Sequence, residues 1–264
     1  MKIKLLALDL DDTLLDQDAK ITPRAERAVK NAAKQGVKVV LATGRHFDCV
    51  KIYAAQLGLD APVITQGGSE IFGMDGKRLY ACFLSPRQAR EIIAFALEEG
   101  VHYQTYTDDG FCYERENEYT RQYHEFNGLK GIEVPNLRDT EVHTPKVLLI
   151  EKPEKVTELM TKAKQRFGRK YNITTSKPIY LEFNRVGASK GAAVEYIAKM
   201  YGFSRENVMA IGDGLIDMSM ILFAGFGVAM ANASEAVRTT ADYVARSNRD
   251  DGAARAIEQF ILGS

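Results

Sequence analysis

The N-terminal part of the chain contains continuous apolar runs. Between the first two runs lies a segment whose apolar residues recur at helical spacing. Ile3–Leu10 is apolar almost throughout, which is typical of a strand buried on both faces of a sheet. Thr22 precedes a proline and a series of alanines at helical spacing, and Gly36 ends that segment. Val37–Leu41 and Val63–Thr65 are two further buried runs. This order of strand, helix and strand predicts a parallel sheet with crossover helices.

The pattern changes after Thr65 and returns near Lys190. The intervening segment predicts mixed elements: a hairpin in Glu70–Ala81, a helix from Ser85 to Gly100, a tyrosine- and phenylalanine-rich stretch in Val101–Phe126, and a helix near Glu154–Phe167. We expect the aromatic side chains to fill the core of their own domain. The earlier order then resumes with a helix at Lys190–Tyr201 and strands at Val208–Ile211 and Gly227–Met230.

The interruption predicts two domains. The first is a doubly wound, mostly parallel, Rossmann-like α/β core made of residues 1–81 and 187–264, and the second is an α+β domain, residues 82–186, inserted between its halves. Insertions of this kind are tolerated where the loops of a sheet reach the surface.

Composition excludes several classes of protein. The chain is 45% hydrophobic and 27% charged, and its 35 basic residues balance its 35 acidic residues. No overall basic charge or basic run favours nucleic acid or a membrane surface as a partner. The three cysteines are odd in number and widely spaced, which is typical of a reducing compartment. Because the N-terminus lacks the apolar core of a signal peptide, we expect a cytoplasmic protein.

Acidic residues follow the first predicted strand. Asp9 and Asp11 lie two residues apart, so an extended chain would point both carboxylates the same way. Two carboxylates in one small volume repel each other unless a cation joins them or one is protonated. An acidic loop or helix cap after the strand is the alternative. A calcium loop is excluded, because Leu14 occupies the position where the EF-hand requires glycine.

Three more strand ends carry polar residues. Thr43 and Gly44 could form an anion site, although a plain N-cap and turn would look the same. Lys190 lies in the first turn of a predicted helix, where the helix dipole disfavours a cation. Its presence there indicates either an anionic partner or a lysine that is simply solvated at the surface. Asp213 and Asp217 flank a glycine turn and could bind a hard cation such as Mg²⁺, or Asp217 could simply cap a helix.

Together these motifs resemble the haloacid dehalogenase superfamily of phosphatases, and within it the Cof-type branch with a large α+β cap. The resemblance covers essentially the whole chain, with the predicted insertion between the second and third motifs. The motifs are DLDDT at Asp9–Thr13, ATGR at Ala42–Arg45, ASKG around Lys190, GDGLID at Gly212–Asp217, Gly227–Ala233, and Ser247-Asn248 followed by Asp251-Gly252.

The resemblance implies a set of roles. Asp9 would be the nucleophile that becomes phosphorylated, and Asp11 the general acid and base. The Mg²⁺ cofactor would be held by Asp9, the backbone carbonyl of Asp11, Asp213 and Asp217. Residues implied to bind phosphate are Thr43, Gly44 and Lys190, and those implied to bind substrate are Arg45, Gln66, Gly67 and Asn232. The inserted domain would close over a small phosphorylated metabolite such as a sugar phosphate, flavin mononucleotide or pyridoxal phosphate.

Two residues depart from the pattern of this branch. Ile216 and Gln66 occupy positions where asparagine is usual, which puts the rate and the orientation of substrate in doubt. The alternatives to a phosphatase are a sugar phosphomutase, since related capped members move phosphate within a sugar, and a non-catalytic phosphosugar sensor, which is favoured only by these two departures. The sequence predicts neither the individual substrate nor the oligomeric state.

Overall fold

The chain divides into two structural units. The computed structural model describes residues 2–263, and one unit combines the chain up to Leu79 with the chain from Ser189 onward. The other unit is the continuous segment Tyr80–Ala188. The sequence predicted divisions at 81/82 and 186/187.

The first unit begins with alternating strands and helices. The hydroxyl of Thr22 accepts a hydrogen bond from the N–H of Ala25 at 3.1 Å, so it is the N-cap that the sequence predicted. The elements in chain order are β1 (Leu5–Leu8), α1 (Pro23–Lys34), β2 (Lys38–Leu41), α2 (Phe47–Leu57), β3 (Val63–Thr65), β4 (Glu70–Phe72) and β5 (Arg78–Ala81).

The second unit is an α+β layer structure. Its elements are α3 (Pro86–Glu98), β6 (His102–Thr107), β7 (Gly110–Tyr113), α4 (Glu118–Asn127), β8 (Gly131–Glu133), β9 (Lys146–Ile150), α5 (Pro153–Phe167), β10 (Tyr171–Thr174) and β11 (Tyr180–Arg185). The sheet order is β10-β11-β9-β6-β7-β8. Ser85 and Gln88 form the predicted capping box of α3. As expected, most aromatic residues of the 101–126 stretch are buried: Tyr103, Tyr106, Phe111, Tyr113 and Tyr123.

The chain then completes the first unit. The elements are α6 (Lys190–Met200), β12 (Val208–Gly212), α7 (Met218–Phe223), β13 (Phe226–Met230), α8 (Glu235–Arg238), β14 (Tyr243–Ala245) and α9 (Gly252–Ile257). The strands form a sheet in the order β14-β13-β12-β1-β2, and every pairing in it is parallel. The predicted fold class, a parallel α/β core with an α+β insertion, is confirmed.

Short tight turns with 3₁₀ or π character connect several elements, and three of them, Leu10–Leu14, Leu215–Asp217 and Asn248–Asp250, contain residues of the quoted motifs. The turns are Leu10–Leu14, Gln66–Gly68, Leu137–Asp139, Arg205–Asn207, Leu215–Asp217, Asn248–Asp250 and Glu258–Leu262. In the 2–263 range, none of the helices combines the length and apolar character needed to cross a bilayer.

The third predicted strand differs from expectation in its pairing. Val63–Thr65 is a strand, but it pairs antiparallel with β4 in a separate sheet of the order β3-β4-β5. A single parallel bridge between Ala42 and Ile64 joins it to the chain just after β2. The run of apolar residues predicted a buried strand correctly, but periodicity does not encode the direction of its neighbour.

Candidate active site

Three aspartates meet where the central strands of the parallel sheet end. The N–H of Asp9 donates to the carbonyl of Ile211 at 3.0 Å, which continues the β1–β12 pairing by one residue. One carboxylate oxygen from each of Asp9, Asp213 and Asp217 lies within 4.8 Å of the other two. Adjacent parallel strands place their carboxyl ends together, so two motifs that are distant in sequence converge here. Such a cluster of hard oxygen atoms can hold a metal ion.

Lys190 lies at the centre of this cluster. Its Nζ donates to Asp9 Oδ1 at 2.6 Å and to Asp217 Oδ1 at 2.5 Å. Only 1% of the side chain is exposed, so the reading of Lys190 as a solvated lysine is wrong. Burial disfavours its charged form, yet the two carboxylates raise the pKa of the ammonium above its ordinary value. Lys190 is therefore a cation within the site.

The cluster contains more carboxyl groups than cationic groups. Three carboxyl groups lie beside one ammonium group. Burial, followed by the charge of Asp217, raises the pKa of Asp9 well above the ordinary value, and the same causes raise that of Asp213 to about 7. A bound cation would stabilise the ionised form of both groups.

Asp217 also forms hydrogen bonds with the turn that precedes it. Its Oδ2 accepts hydrogen bonds from the N–H groups of Asp213 at 3.0 Å and Gly214 at 2.9 Å. The Asp217 side chain makes no capping hydrogen bond to α7, so the alternative that Asp217 simply caps this helix is wrong. A Cβ on Gly212 would lie 2.5 Å from Cβ of Asp217, which explains the glycine there. The carboxylate thus shapes the turn that presents Asp213.

Thr13 is a site residue that the sequence reasoning did not single out. Its hydroxyl donates to Asp213 Oδ1 at 3.1 Å and is buried. The hydrogen bond joins the loop after β1 to the loop after β12. The available signal was the position of Thr13 within the DLDDT motif, but a hydroxyl partner 200 residues away is not readable from spacing.

Asp11 lies outside the three-carboxylate group in the part of the chain that the structure describes. Its Oδ2 and Oδ1 accept hydrogen bonds from Arg45 Nε at 2.8 Å and Nη2 at 2.6 Å. Asp9 and Asp11 therefore pair with different cations, Lys190 and Arg45. Asp12, the next residue, has a φ of 58°, so the chain turns sharply after Asp11. Arg45, implied to bind substrate, is engaged with the proposed acid and base.

The loop after β2 is joined to the turn after β3. The N–H of Gly67 donates to the carbonyl of Thr43 at 3.0 Å, and the N–H of Gln66 donates to that of Arg45 at 3.0 Å. Gln66 has a φ of 50° and a fully buried side chain. A Cβ on Gly68 would lie 2.2 Å from the backbone of Ser189, so this turn also packs against the start of α6. Three of the predicted phosphate and substrate segments are thereby assembled.

Asn232 contacts the loop that follows β1. Its Nδ2 donates to the carbonyl of Asp12 at 2.9 Å, and its Oδ1 accepts from the N–H of Asn248 at 3.1 Å. The Nδ2 of Asn248 in turn donates to the carbonyl of Leu15 at 3.1 Å. Asn232 was implied to bind substrate, whereas these contacts are with the protein itself. Asn248, which the sequence placed in a motif without a role, therefore joins Asn232 to the loop after β1.

Ile216, the main departure from the family pattern, is buried between the two aspartates of its motif. Only 8% of the residue is exposed. The neighbouring Gly214 lies close to it, since a Cβ built there would be 3.5 Å from Ile216 Cγ2. An apolar side chain is therefore packed where the pattern would place an amide.

Known proteins match the chain over nearly its full length. The family model described as haloacid dehalogenase-like hydrolase matches residues 6–257. The 5-amino-6-(5-phospho-D-ribitylamino)uracil phosphatase YcsE of Bacillus subtilis is 31% identical, covering 98% of this chain and 96% of that protein. The HMP-PP phosphatase of Cronobacter sakazakii is 27% identical over 87% of this chain and 85% of its own. A haloacid dehalogenase-like hydrolase from Bacteroides thetaiotaomicron superposes with a TM-score of 0.84 at 30% identity, covering 98% and 99% of the two chains.

Proposed function

The chain belongs to the haloacid dehalogenase-like hydrolase family, and from that premise we propose that it is a Mg²⁺-dependent phosphomonoesterase that forms an aspartyl-phosphate on Asp9. The enzyme class predicted from the sequence, a phosphatase of this family, is confirmed. The observation that carries the finer proposal is the buried contact of Asp9 with Lys190 beside two more carboxylates.

The residues present fit a magnesium ion. Asp9, Asp213 and Asp217 offer hard carboxylate oxygens, which Mg²⁺ prefers, and their excess negative charge requires a cation. In our proposal the backbone carbonyl of Asp11 is a further ligand. When bound, Mg²⁺ would offset the charge of the phosphoryl group and keep Asp9 ionised.

The proposed reaction has two steps. An oxygen of Asp9 forms a bond to phosphorus while the ester P–O bond breaks, and Asp11 gives its proton to the departing oxygen. A water oxygen then attacks the phosphorus and passes a proton to Asp11 while the bond between phosphorus and the Asp9 oxygen breaks. This step releases inorganic phosphate and regenerates the Asp9 carboxylate. Lys190 holds the nucleophilic carboxylate in one orientation through its 2.6 Å hydrogen bond.

The phosphoryl oxygens would be held by Thr43, the backbone N–H of Gly44 and the ammonium of Lys190. The joined loops support this proposal, because they fix Thr43 and the start of α6 in one assembly. Phosphoryl transfer depends mostly on positioning and on electrostatic stabilisation. Loss of one preorganised contact typically costs about 10²–10³ in rate.

We propose a small phosphorylated metabolite as substrate. Relatives act on a phosphorylated ribitylamino-uracil and on HMP-PP, as their names state, and both are small molecules. The inserted unit would act as the lid that selects among them, with Gln66 and Gly67 near the substrate. Among the described residues 2–263, no disulfide joins the three cysteines, which fits the reducing cytoplasm that we propose as the location.

The proposal is tested with Asp9→Asn and a panel of phosphorylated metabolites. We expect phosphate release in Mg²⁺ by the native protein, none after chelation with EDTA, and a loss of at least about 10³-fold in the variant. Asp18→Asn, which changes an exposed carboxylate in the same loop region, is the matched control. Comparable turnover by the Asp9 variant would show that another residue is the nucleophile.

A further inference from the structure

Arg45 donates two parallel hydrogen bonds to Asp11, the proposed general acid and base. Its Nε lies 2.8 Å from Asp11 Oδ2 and its Nη2 lies 2.6 Å from Asp11 Oδ1. A bidentate contact of this kind fixes the direction of a carboxylate as well as its charge. A monodentate contact with a lysine would leave the carboxylate free to rotate.

Arg45 is itself held from several sides. Its N–H donates to the hydroxyl of Thr43 at 3.1 Å, and its carbonyl accepts from the N–H of Gln66 at 3.0 Å. The guanidinium carbon lies 5.6 Å from the ring centroid of Tyr53, whose hydroxyl donates to the carbonyl of Ala19 at 3.1 Å. Only 8% of the Arg45 side chain is exposed. The guanidinium is therefore preorganised before any substrate arrives.

Asp9 and Asp11 of the DLDDT motif are thus oriented by different cations. Lys190 orients Asp9, and Arg45 orients Asp11. About a quarter of the Asp11 side chain, 26%, remains exposed, so solvent reaches part of it despite the contact with Arg45. A general acid must lie within hydrogen-bond reach of the atom it protonates, and a misplaced acid contributes little to rate.

We infer that Arg45 is a positioning residue that aims the Asp11 carboxyl group at the leaving-group oxygen, and that it does not act by binding substrate. The inference rests on the proposed function, because it assumes that Asp11 is the general acid. A residue that positions the general acid should affect the rate more for a poor leaving group than for a good one. An alkoxide needs a proton from Asp11 as the P–O bond breaks, whereas p-nitrophenolate is a weak base that departs without one.

The test compares kcat/KM in Mg²⁺ for glycerol 2-phosphate and p-nitrophenyl phosphate. We expect Arg45→Ala to lower kcat/KM for the alkyl ester by about 10²-fold and for the aryl ester by less than about threefold. Asp11→Asn should show the same selectivity, and the double variant should be no slower than Asp11→Asn alone. Arg45→Lys keeps the positive charge but cannot donate two parallel hydrogen bonds. Its kcat/KM for the alkyl ester should therefore lie between those of the native protein and Arg45→Ala.

A matched control removes a similar ion pair away from the site. Arg24 contacts Glu258 through Nε at 3.0 Å and Nη2 at 2.5 Å, and Arg24→Ala should leave kcat/KM for both esters unchanged. Equal losses for the two esters in Arg45→Ala, or additive losses in the double variant, would overturn the inference. If the alanine variant is insoluble, Arg45→Lys decides, and native activity toward the alkyl ester in that variant contradicts the role.

Failure of the inference is distinguishable from failure of the proposed function. An active Asp9→Asn enzyme overturns the nucleophile and with it the reaction scheme. An inactive Asp9→Asn enzyme, combined with Asp11→Asn that slows both esters equally, leaves the nucleophile in place and overturns the positioning role of Arg45.

Discussion

Each structural unit contains a lysine that is almost completely buried against carboxylate oxygen, and the two sites differ in charge balance. In the second unit, Lys146 contacts Glu182 at 3.1 Å, with 2% and 1% of their side chains exposed. Ser176 donates a further hydrogen bond to Glu182. In the first unit, Lys190 faces Asp9 and Asp217, and Asp213 adds a third carboxylate. One ion pair is balanced, whereas the other cluster has unneutralised negative charge.

The difference separates a structural ion pair from a functional one. A balanced buried pair has its desolvation offset by its own Coulomb attraction and hydrogen bonds. A cluster with excess charge keeps raised pKa values unless a ligand supplies the missing cation, and that is a feature of sites that bind and react. Burial alone would not have distinguished Lys146 from Lys190, since both are close to fully buried.

The largest expected effects come from removing each lysine in turn. Lys146→Met should lower the free energy of unfolding by about 3–5 kcal/mol, because Glu182 would remain buried without a cation. Lys190→Met should lower kcat/KM by about 10²–10³-fold, because in our proposal Lys190 provides a preorganised contact to the nucleophile Asp9 and to the phosphoryl group. Urea unfolding and p-nitrophenyl phosphate turnover measure the two effects. A catalytic loss in folded Lys146→Met as large as that in Lys190→Met would remove the distinction.

A pH effect is expected from the second unit. His102 accepts a hydrogen bond from Asn117 at Nδ1, and burial lowers the pKa of its ring to about 4, partly offset by Gln104. The unfolded chain therefore takes up the proton first, so the stability contributed by neutral His102 is complete above pH 6.5 and lost as pH falls toward 4. The loss is up to about 3 kcal/mol. His102→Gln should unfold with a flatter pH dependence over that range, and an identical profile would contradict the assignment.

Magnesium should stabilise the first unit selectively. At a concentration of about 100 times its dissociation constant, Mg²⁺ should add about 2.7 kcal/mol to the free energy of unfolding. Asp213→Asn should remove most of that increment, because it deletes one of the three carboxylates. Glu182→Gln should retain it, since the pair in the second unit is already balanced. Thermal denaturation with EDTA or Mg²⁺ measures the shift, and an undiminished increment in Asp213→Asn would place the ion elsewhere.

The smallest expected effect concerns Ile216. Because the side chain is buried, with 8% exposed, Ile216→Asn should lower stability by about 1–3 kcal/mol by burying an amide. We expect no gain in kcat/KM, since the loop is packed around an apolar group. Thermal denaturation and kcat/KM on the one variant provide the measurement. A rise in kcat/KM of tenfold or more would instead show that the usual amide still fits the site.

The sequence predicted most elements because their apolar patterns are local. The run before Asp9 and the capped helix after Thr22 have signals that span a few residues. The motif residues Asp9, Asp213, Asp217 and Lys190 were also recognisable, and the structure brings them together. Their proposed roles go beyond that geometry.

Other features depend on contacts between distant side chains, which spacing does not encode. The pairing of Asp11 with Arg45 joins two motifs, and nothing in either motif distinguishes a substrate-binding arginine from one that holds an acid. Asn232 likewise matched a pattern associated with substrate, but its amide holds the carbonyl of Asp12. The antiparallel pairing of Val63–Thr65 was missed because a three-residue run is too short to define a partner.

The position of β1 has a consequence for how the protein is made. β1 is synthesised long before β12, one of its two neighbours, since Leu5 pairs with Val208 about 200 residues later. The inserted segment Tyr80–Ala188 is continuous and can complete its sheet earlier. We therefore expect a nascent chain that has emerged from the ribosome up to about residue 190 to protect that segment from protease while β1 is still cleaved. In our proposal, catalytic competence would then require the later emergence of β12 and of Asp213 and Asp217 that follow it.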